Sequence, residues 1–332
     1  MSYYILPKKN NTLALKPIII ENQIIEENII ISHSIYYYIN SIDEELLTYI
    51  SNEKIKEYKM LLYSYKHLLT KEISLTPHSI YFYTYIEILK LSNFFDIYKN
   101  KMTIFCNNSI YESFLFTNKN NIIFKKEELN NKNKDSISIL CFEVERKNYV
   151  LSFISVLCNI LFYQIQGGSN IIKIHEIIQK PIIEIIYVLN SLYEKVYIIK
   201  PNISDIINED RYLVCKNLKL EDKYIIYSYF SNIYKELTKL DNHNISLLNI
   251  EIPYYFLNKL EESNIGIGNQ KIEQLDVMLS LVNDENIIEK TEKVRVNNLN
   301  KCILWCDKYK IPCKQNEKVN IFTCETIKLD IS

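Results

Sequence analysis

The chain has 332 residues, of which 48% are apolar, and its formal net charge is -1 at pH 7. A chain of this length buries at least one large core, and the balanced charge excludes a protein whose whole surface attracts nucleic acid, so any RNA binding must be local. The eight Cys are mostly spread singly, and no apolar leader or membrane-length apolar run occurs, so we expect a reduced, cytoplasmic protein without a membrane segment.

The N-terminal region mixes short runs of β-branched residues with Asn and Pro. This composition is typical of strands and extended segments, so we predict a few such elements over residues 1–42. Apolar residues then recur at spacings of three and four across residues 43–70, which predicts one or two helices with Ser41 and Asp43 as candidate N-caps. Residues 1–78 are therefore predicted to form an N-terminal region of strands and helices.

The middle of the chain alternates short apolar runs with segments of helical period. The predicted elements are a helix over 79–95, a strand over 102–106, a mostly polar loop over 118–135, a strand over 136–142 and a buried helix over 149–165. Strands that alternate with helices favour a parallel sheet covered on both faces, so the sequence predicts an α/β fold. Beyond residue 220 the period is helical, with breaks predicted near 241–244, Pro253 and 263–268.

Residues 167–217 place Gly and charged residues at the ends of predicted strands. In chain order these are Gly167 and Gly168, Lys173 at a strand end, the apolar helix 182–193, Lys200 with Pro201, and Asp210 before a last strand. This order resembles the C-terminal half of FtsJ-like RNA 2′-O-ribose methyltransferases, notably the cap methyltransferases of eukaryotes and large DNA viruses. The resemblance implies a Rossmann-like methyltransferase sheet with flanking helices over 79–220 and a helical C-terminal extension over 221–332.

The resemblance also implies four catalytic positions, two Lys and two acids. Lys173 matches one Lys, and Asp210 matches the acid before the last strand. The other Lys position falls on Thr84, and the remaining acid position falls on Phe142 or Glu143. Removing one member of a coupled catalytic set costs most of its effect. The resemblance therefore implies a degenerate domain, a pseudoenzyme, with Lys173 and Asp210 as remnants.

The glycine-rich methyl-donor loop of the family aligns on residues 103–113, where Cys106, Asn108 and Ser109 stand at the glycine positions. Glycines allow positive φ and a close approach of the backbone to S-adenosylmethionine, and side chains occupy that space. The resemblance thus implies that no cofactor binds, whereas an active enzyme would need S-adenosylmethionine. The segment that follows is also short for the family, so we expect residues 1–42 or a partner protein to cover the exposed sheet.

No metal site is predicted. The Cys residues within 302–313 supply at most three thiolates, whereas a structural zinc site needs four well-placed ligands. His175 adjoins Glu176, and a lone His beside a carboxylate indicates a structural hydrogen bond more often than a metal ligand. Gly266 and Gly268 lack the third Gly and the preceding strand of a dinucleotide fingerprint, so they indicate a loop.

Local clusters of Lys are the candidate RNA contacts. We expect phosphate contacts at Lys125 and Lys126, which lie in the predicted polar loop, and at Lys200. In a chain rich in Lys, the alternative for each is solvated surface.

Three functions remain open. The favoured hypothesis is a degenerate FtsJ-like domain that acts as an RNA-binding or stimulatory subunit of a viral-type mRNA capping or transcription apparatus. It implies a protein partner and a place in the cytoplasm, a viral factory or the virion. The second hypothesis is an active S-adenosylmethionine-dependent RNA cap 2′-O-methyltransferase. The third is a structural scaffold of a complex or virion.

Overall fold

The computed structural model describes residues 2–8, 31–49, 79–97, 101–118, 122–208, 210–219, 223–239, 246–248, 250–282 and 287–311. The strands in these ranges are β1 (Ser2–Ile5), β2 (Met102–Phe105), β3 (Phe124–Lys126), β4 (Ile137–Glu143), β5 (Gln164–Ile174), β6 (Tyr193–Lys200) and β7 (Arg211–Leu218). The α-helices are α1 (His33–Thr48), α2 (Tyr81–Leu91), α3 (Asn108–Thr117), α4 (Tyr149–Tyr163), α5 (Lys180–Leu192), α6 (Tyr224–Leu237), α7 (Tyr254–Val282) and α8 (Ile287–Tyr309). Among these helices, none is both long and apolar enough to cross a membrane.

The strands form one sheet in the order β1-β6-β7-β5-β4-β2-β3. β3, β2, β4 and β5 are parallel, β7 is antiparallel to both β5 and β6, and β1 is antiparallel to β6. Alternate residues of β5 face opposite layers: Ile172 packs in the core that contains α4, α5 and α6, and Ile171 packs with α2 and α3. The predicted α/β fold is confirmed, as a mixed sheet with flanking helices and a helical C-terminal region that is consistent with a Rossmann-like methyltransferase.

The strand order changes direction between β2 and β4. The chain leaves β2 through α3 to reach β3 on one side, and it leaves β4 through α4 to reach β5 on the other side. The connections therefore diverge at the carboxyl ends of β2 and β4, and such a point opens a crevice where α/β proteins bind ligands. Cys106 follows β2 and Glu143 ends β4, so both lie at this crevice.

Gly167 and Gly168 lie within β5 and not at the end of a strand, where the sequence predicted them. The register between β4 and β5 jumps from Ile137↔Gln164 to Ile139↔Ser169, so extra residues of β5 form a bulge there. Gly167 has φ +77°, and a Cβ on Gly168 would lie 2.8 Å from two backbone carbonyl oxygens. The bulge thus needs both glycines.

Other predicted elements differ from the structure. Residues 33–42 were predicted as extended, but they begin α1. The polar stretch 118–135 contains the short strand β3. The break predicted near 263–268 is wrong, because α7 runs without interruption through Gly266 and Gly268. The rest of the predicted helix over 43–70, from residue 50 on, lies outside the described residues.

The two edges of the sheet are formed by β1 and β3. β1 pairs with β6, so residues 2–5 do not cover the β3 edge, where the N-terminal segment was expected. Residues 9–30 of that segment lie outside the described part of the chain. β3 carries the exposed Lys125 and Lys126, and charged side chains on an edge strand oppose pairing with other strands.

Candidate functional site

An ion cluster lies at the carboxyl ends of β4 and β5. Lys173, near the end of β5, places its Nζ 2.6 Å from Oε1 of Glu143 and 3.2 Å from Oδ2 of Asp210. Glu143 ends β4, and Asp210 directly precedes β7. A cavity of ≈ 290 Å³ lies beside these three side chains. The fold thus brings together three of the positions that the resemblance singled out.

His175 and Arg146 contact Asp210 as well. His175 Nδ1 lies 2.7 Å from Oδ1 of Asp210, and its Nε2 lies 3.0 Å from the carbonyl oxygen of Val144. Both partners of the ring are hydrogen-bond acceptors. The guanidinium of Arg146 lies 3.5 Å from the same Asp210 oxygen. The ammonium of Lys173, the guanidinium of Arg146 and the ring of His175 therefore surround this carboxylate.

The ion cluster fixes the protonation of Lys173 and Asp210. Burial alone would lower the pKa of Lys173, but the hydrogen bond to Glu143 and the charge of Asp210 raise it above its usual range. Burial alone would raise the pKa of Asp210, but the hydrogen bond from His175 and the charge of Lys173 lower it well below its usual range. At neutral pH, Lys173 is an ammonium and Asp210 is a carboxylate.

Tyr81 occupies the remaining side of Lys173. Its hydroxyl oxygen lies 3.4 Å from Lys173 Nζ and 3.3 Å from Oε2 of Glu143. Thr84, which the alignment placed at the second Lys position, is buried, and its hydroxyl donates to the carbonyl oxygen of Ile80. Tyr81 lies one helical turn before Thr84 on α2 and so shares its face. The structure brings Tyr81, and not Thr84, into contact with the ion cluster.

The structure also distinguishes between Phe142 and Glu143, the two residues considered for the acid position at the end of β4. Glu143 carries its carboxylate to Lys173. Phe142 packs its ring against Phe105, with centroids 5.4 Å apart. Neighbouring residues of a strand point to opposite faces, so only one of the two can reach the cluster.

A second cavity, of ≈ 360 Å³, lies at the crevice between β2 and β4, where the family's cofactor would be expected. Rings form much of its lining, contributed by Tyr81, Tyr85, Phe105 and Phe142. Cys106 also lines it, and burial raises the pKa of this thiol to about 12, so the thiol stays protonated. Lys173 and Glu143 of the ion cluster also line this cavity, so aromatic rings and charged side chains meet in it.

The turn after β2 does not form a glycine cradle. Asn107 caps α3 by accepting a backbone N–H at 2.9 Å, and Asn108 and Ser109 already belong to the first turn of α3. None of these residues, nor Cys106, has positive φ. The side chains of Cys106 and Ser109 are buried. This turn therefore lacks the positive-φ backbone that the glycines of the family's loop allow.

The three predicted RNA contacts do not lie together. Lys125 and Lys126 are exposed on β3, at one edge of the sheet. Lys200 is 3% exposed, and its ammonium donates to the carbonyl oxygens of Asn208 and, at 2.8 Å, Asp210. Lys200 thus holds the turn before β7 and does not present its charge to solvent.

Two residues of the ion cluster, Tyr81 and Arg146, were not predicted from the sequence, and the partner of His175 was not identified from it. Tyr81 was missed because an ungapped alignment fixes the position along α2 but not which side chain faces the site. Arg146 was missed although it lies in the loop after β4, at the sheet edge where ligands bind. His175 does make a structural hydrogen bond, as expected of a lone His, but with Asp210.

Within the described residues, no group of His, Cys, Asp and Glu is arranged to hold a metal ion. Cys302 and Cys306 are buried in an apolar cluster with Trp305. Cys313, the third Cys of that segment, lies outside the described part of the chain.

The chain is similar in sequence to proteins of the same class that the fold indicates. The chain is 20% identical over 161 residues to the inactive cap-specific mRNA (nucleoside-2′-O-)-methyltransferase 1B of Caenorhabditis briggsae, and 21% identical over 161 residues to the cap-specific mRNA (nucleoside-2′-O-)-methyltransferase 1A of the same organism. It is 22% identical over 161 residues to the cap-specific mRNA (nucleoside-2′-O-)-methyltransferase 1 of Caenorhabditis elegans. The chain is distantly homologous to cap-specific mRNA 2′-O-methyltransferases.

The similarity to these relatives is limited in extent. Each match covers 46% of this chain and 17% to 18% of the relative, so the chain spans under a fifth of the length of the curated proteins it matches. No protein-family model matches the chain. One relative is named inactive and the others are not, at nearly equal identity.

Proposed function

We propose that the chain is a catalytically degenerate, methyltransferase-like domain that acts as an RNA-binding or stimulatory subunit of an mRNA capping or transcription apparatus of a large DNA virus. One observation carries the proposal: Lys173 is an ammonium held between Glu143 and Asp210, and its remaining neighbour is the neutral hydroxyl of Tyr81. The names of the relatives tie them to capped mRNA, and the proposal extends that class of partner to this chain.

A ribose hydroxyl must lose its proton when it attacks a methyl group, and a Lys can accept that proton only as a neutral amine. A second ammonium nearby would favour the neutral amine, because like charges lower the pKa of a Lys. At Lys173 the acids instead raise the pKa, and no second Lys contacts its ammonium among the described residues. The side chain can hold a phosphate or ribose oxygen, but it does not act as a base.

The turn and the cavity where the family would bind its methyl donor support the same proposal. The turn from Cys106 to Ser109 has no positive φ and leads straight into α3. Aromatic rings line the cavity at the crevice. We therefore propose that this domain does not use S-adenosylmethionine.

An active cap 2′-O-methyltransferase is the second candidate. The observation in its favour is that Lys173 still lies between two acids at the carboxyl ends of the strands. If the chain is an active methyltransferase, methyl transfer must depend on Lys173.

Methyl transfer and RNA binding measured on the same protein separate the two candidates. We expect short capped RNA to bind, and labelled S-adenosylmethionine to give no methyl transfer above the level of a Lys173→Met variant. Transfer that this variant abolishes would establish the enzyme instead. Absence of RNA binding, together with no copurifying protein from the native source, would contradict the subunit proposal.

A further inference from the structure

A cavity of ≈ 660 Å³ lies between the loop after β6 and the helices α7 and α8. We call it the α7–α8 cleft. Its volume is within the range of about 300 to 1,000 Å³ typical of ligand pockets. The cleft is separate from the cavity at the crevice between β2 and β4. Neither the residues of the ion cluster nor Lys125 and Lys126 line it.

The floor of the cleft is held by a buried carboxylate. Glu87 of α2 is 0% exposed and accepts hydrogen bonds from Trp305 Nε1 at 3.0 Å and from the backbone N–H groups of Asn202 at 3.1 Å and Ile203 at 3.3 Å. Burial raises the pKa of Glu87. Because one carboxylate ties α2, α8 and the loop after β6 together, the cleft has a fixed floor, with the indole of Trp305 as part of it.

The walls of the cleft are basic and rich in amides. Lys301 and Lys308, both exposed on α8, line it together with the inner Lys200, and Glu273 is the acid among its lining residues. Amide side chains line it from both helices, namely Gln270, Gln274, Asn297 and Asn298. Amides match the mixed donors and acceptors of base edges, and Lys matches phosphate.

The cleft is also linked to the ion cluster. Lys200 lines the cleft and donates to the carbonyl oxygen of Asp210 at 2.8 Å, and the carboxylate of Asp210 contacts Lys173. Lys200 thus joins the wall of the cleft to the turn that carries Asp210.

We propose that the α7–α8 cleft binds single-stranded RNA, with one base in the cleft above Trp305 and the neighbouring phosphates on Lys301 and Lys308. The inference rests on the proposed RNA-binding function and assigns it a place. An extended RNA strand fits this surface better than an acidic peptide does, because the cleft pairs a basic rim with amides and an aromatic floor, and a peptide of carboxylates would use the rim alone.

Trp305 is the single Trp of the chain, so its fluorescence reports on the cleft directly. A single-stranded RNA of about ten nucleotides is titrated into the full chain while this fluorescence is followed. We expect saturable quenching. An abasic strand with the same phosphates should bind more weakly and leave the fluorescence nearly unchanged.

Charge variants test the phosphate contacts. The double variant Lys301→Gln with Lys308→Gln should weaken binding about tenfold and reduce the slope of log affinity against log salt by about 1.4, which is about 0.7 for each lost contact. Lys293→Gln is the matched control, because Lys293 lies exposed on the same helix in an ion pair with Glu289 and does not line the cleft. We expect the control to bind like the wild type.

Other outcomes would contradict the assignment of RNA to the cleft, and each has its own signature. RNA binding without quenching, or with equal loss in the double variant and the control, would place the RNA elsewhere and leave the proposed function intact. Equal quenching by poly-glutamate of the same length would make the cleft a site for acidic peptides. No RNA binding at all would remove both the cleft assignment and RNA binding from the proposed function.

Discussion

The side chains around Lys173 determine what it can do. Two carboxylates, of Glu143 and Asp210, lie within 3.2 Å of its ammonium, and the third neighbour is the hydroxyl of Tyr81. Acids stabilise the ammonium, whereas the neutral hydroxyl does nothing to destabilise it. Tyr81 on α2 thus adds no positive charge that would lower the pKa of Lys173, and the two acids keep Lys173 an ammonium.

The depressed pKa of Asp210 makes the ion cluster sensitive to acid. Its carboxylate contributes stability that is present above the unfolded-state pKa of about 3.9 and is lost as pH falls toward the lower folded-state value. We expect Asp210→Asn to lower the free energy of unfolding by about 2 kcal/mol at neutral pH. This deficit should shrink below about pH 4, as measured by urea unfolding at several pH values.

A surface carboxylate provides the control for this experiment. Glu236 forms an exposed ion pair with Lys239, so Glu236→Gln should change stability little at any pH. A deficit for Asp210→Asn that stays constant down to about pH 2 would contradict the assigned ion cluster.

The pairing of Lys173 with Asp210 follows from the order of strands. Lys173 lies near the end of β5, Asp210 directly precedes β7, and these two strand ends are neighbours in the sheet. The contact with Tyr81 does not follow from the sequence. It depends on the rotation of α2 about its axis, which is set by packing against β2 and β4 through residues distant in the chain. Which of Phe142 and Glu143 faces Lys173 likewise depends on strand register.

Among the elements, the bulge in β5 positions Lys173. Gly168 lies close to the backbone of β4, and the regular register from Ser169 onward carries Lys173 to its place opposite Glu143. The bulge therefore sets which residues of β5 reach the ion cluster.

Substitutions of the two glycines test this bulge. Gly168→Ala would place a Cβ 2.8 Å from the carbonyl oxygens of Ser138 and Ile165, so we expect a loss of at least about 2 kcal/mol in the free energy of unfolding. The Cβ of Gly167→Ala would lie at an ordinary contact distance of 3.8 Å from Oδ1 of Asn217, but the residue would keep φ +77°, so about 1 kcal/mol is expected. Equilibrium urea unfolding gives both values.

Gly268→Ala is the control for these substitutions. Its Cβ would meet the flexible end of Ile35, and Ala within a helix is favoured over Gly by about 1 kcal/mol, so we expect little net change. Wild-type stability of Gly168→Ala would refute the close approach of β4 and β5.

Elements with strong local patterns were predicted from the sequence, and those defined by distant contacts were not. β4, α4 and β2 are apolar runs bounded by polar turns, and their predicted bounds are nearly those observed. β3 is three residues long, with two Lys, and only its pairing with β2 makes it a strand. α7 contains Gly266 because Tyr4 of β1 packs against it, a contact that no local pattern shows.

At the scale of the whole molecule, one apolar core draws on all three predicted regions. Leu6 from the N-terminal region packs with strands and helices of the middle region and with Phe256 and Leu260 of α7. α8 packs separately against α2, through Trp305 and Phe82. The three regions are therefore in contact, and we expect them to unfold together.

Leu6→Ala tests this coupling. Leu6 is 3% exposed, and truncating a buried Leu costs about 3 kcal/mol. We expect the unfolding midpoint to fall equally when it is followed by circular dichroism and by the fluorescence of Trp305 in α8. Ile5→Ala is the control, since Ile5 is 50% exposed and should cost less than about 1 kcal/mol. A Trp305 transition unmoved by Leu6→Ala would show that α8 unfolds on its own.

We propose that this methyltransferase-like fold has lost its cofactor chemistry. Calorimetric titration of the purified chain with S-adenosylmethionine tests it most directly, with an RNA titration of the same sample as evidence that the protein is folded and able to bind. We expect no saturable binding of S-adenosylmethionine at millimolar concentration, because the turn from Cys106 to Ser109 lacks glycine geometry. A dissociation constant in the micromolar range would contradict the claim and favour an active enzyme.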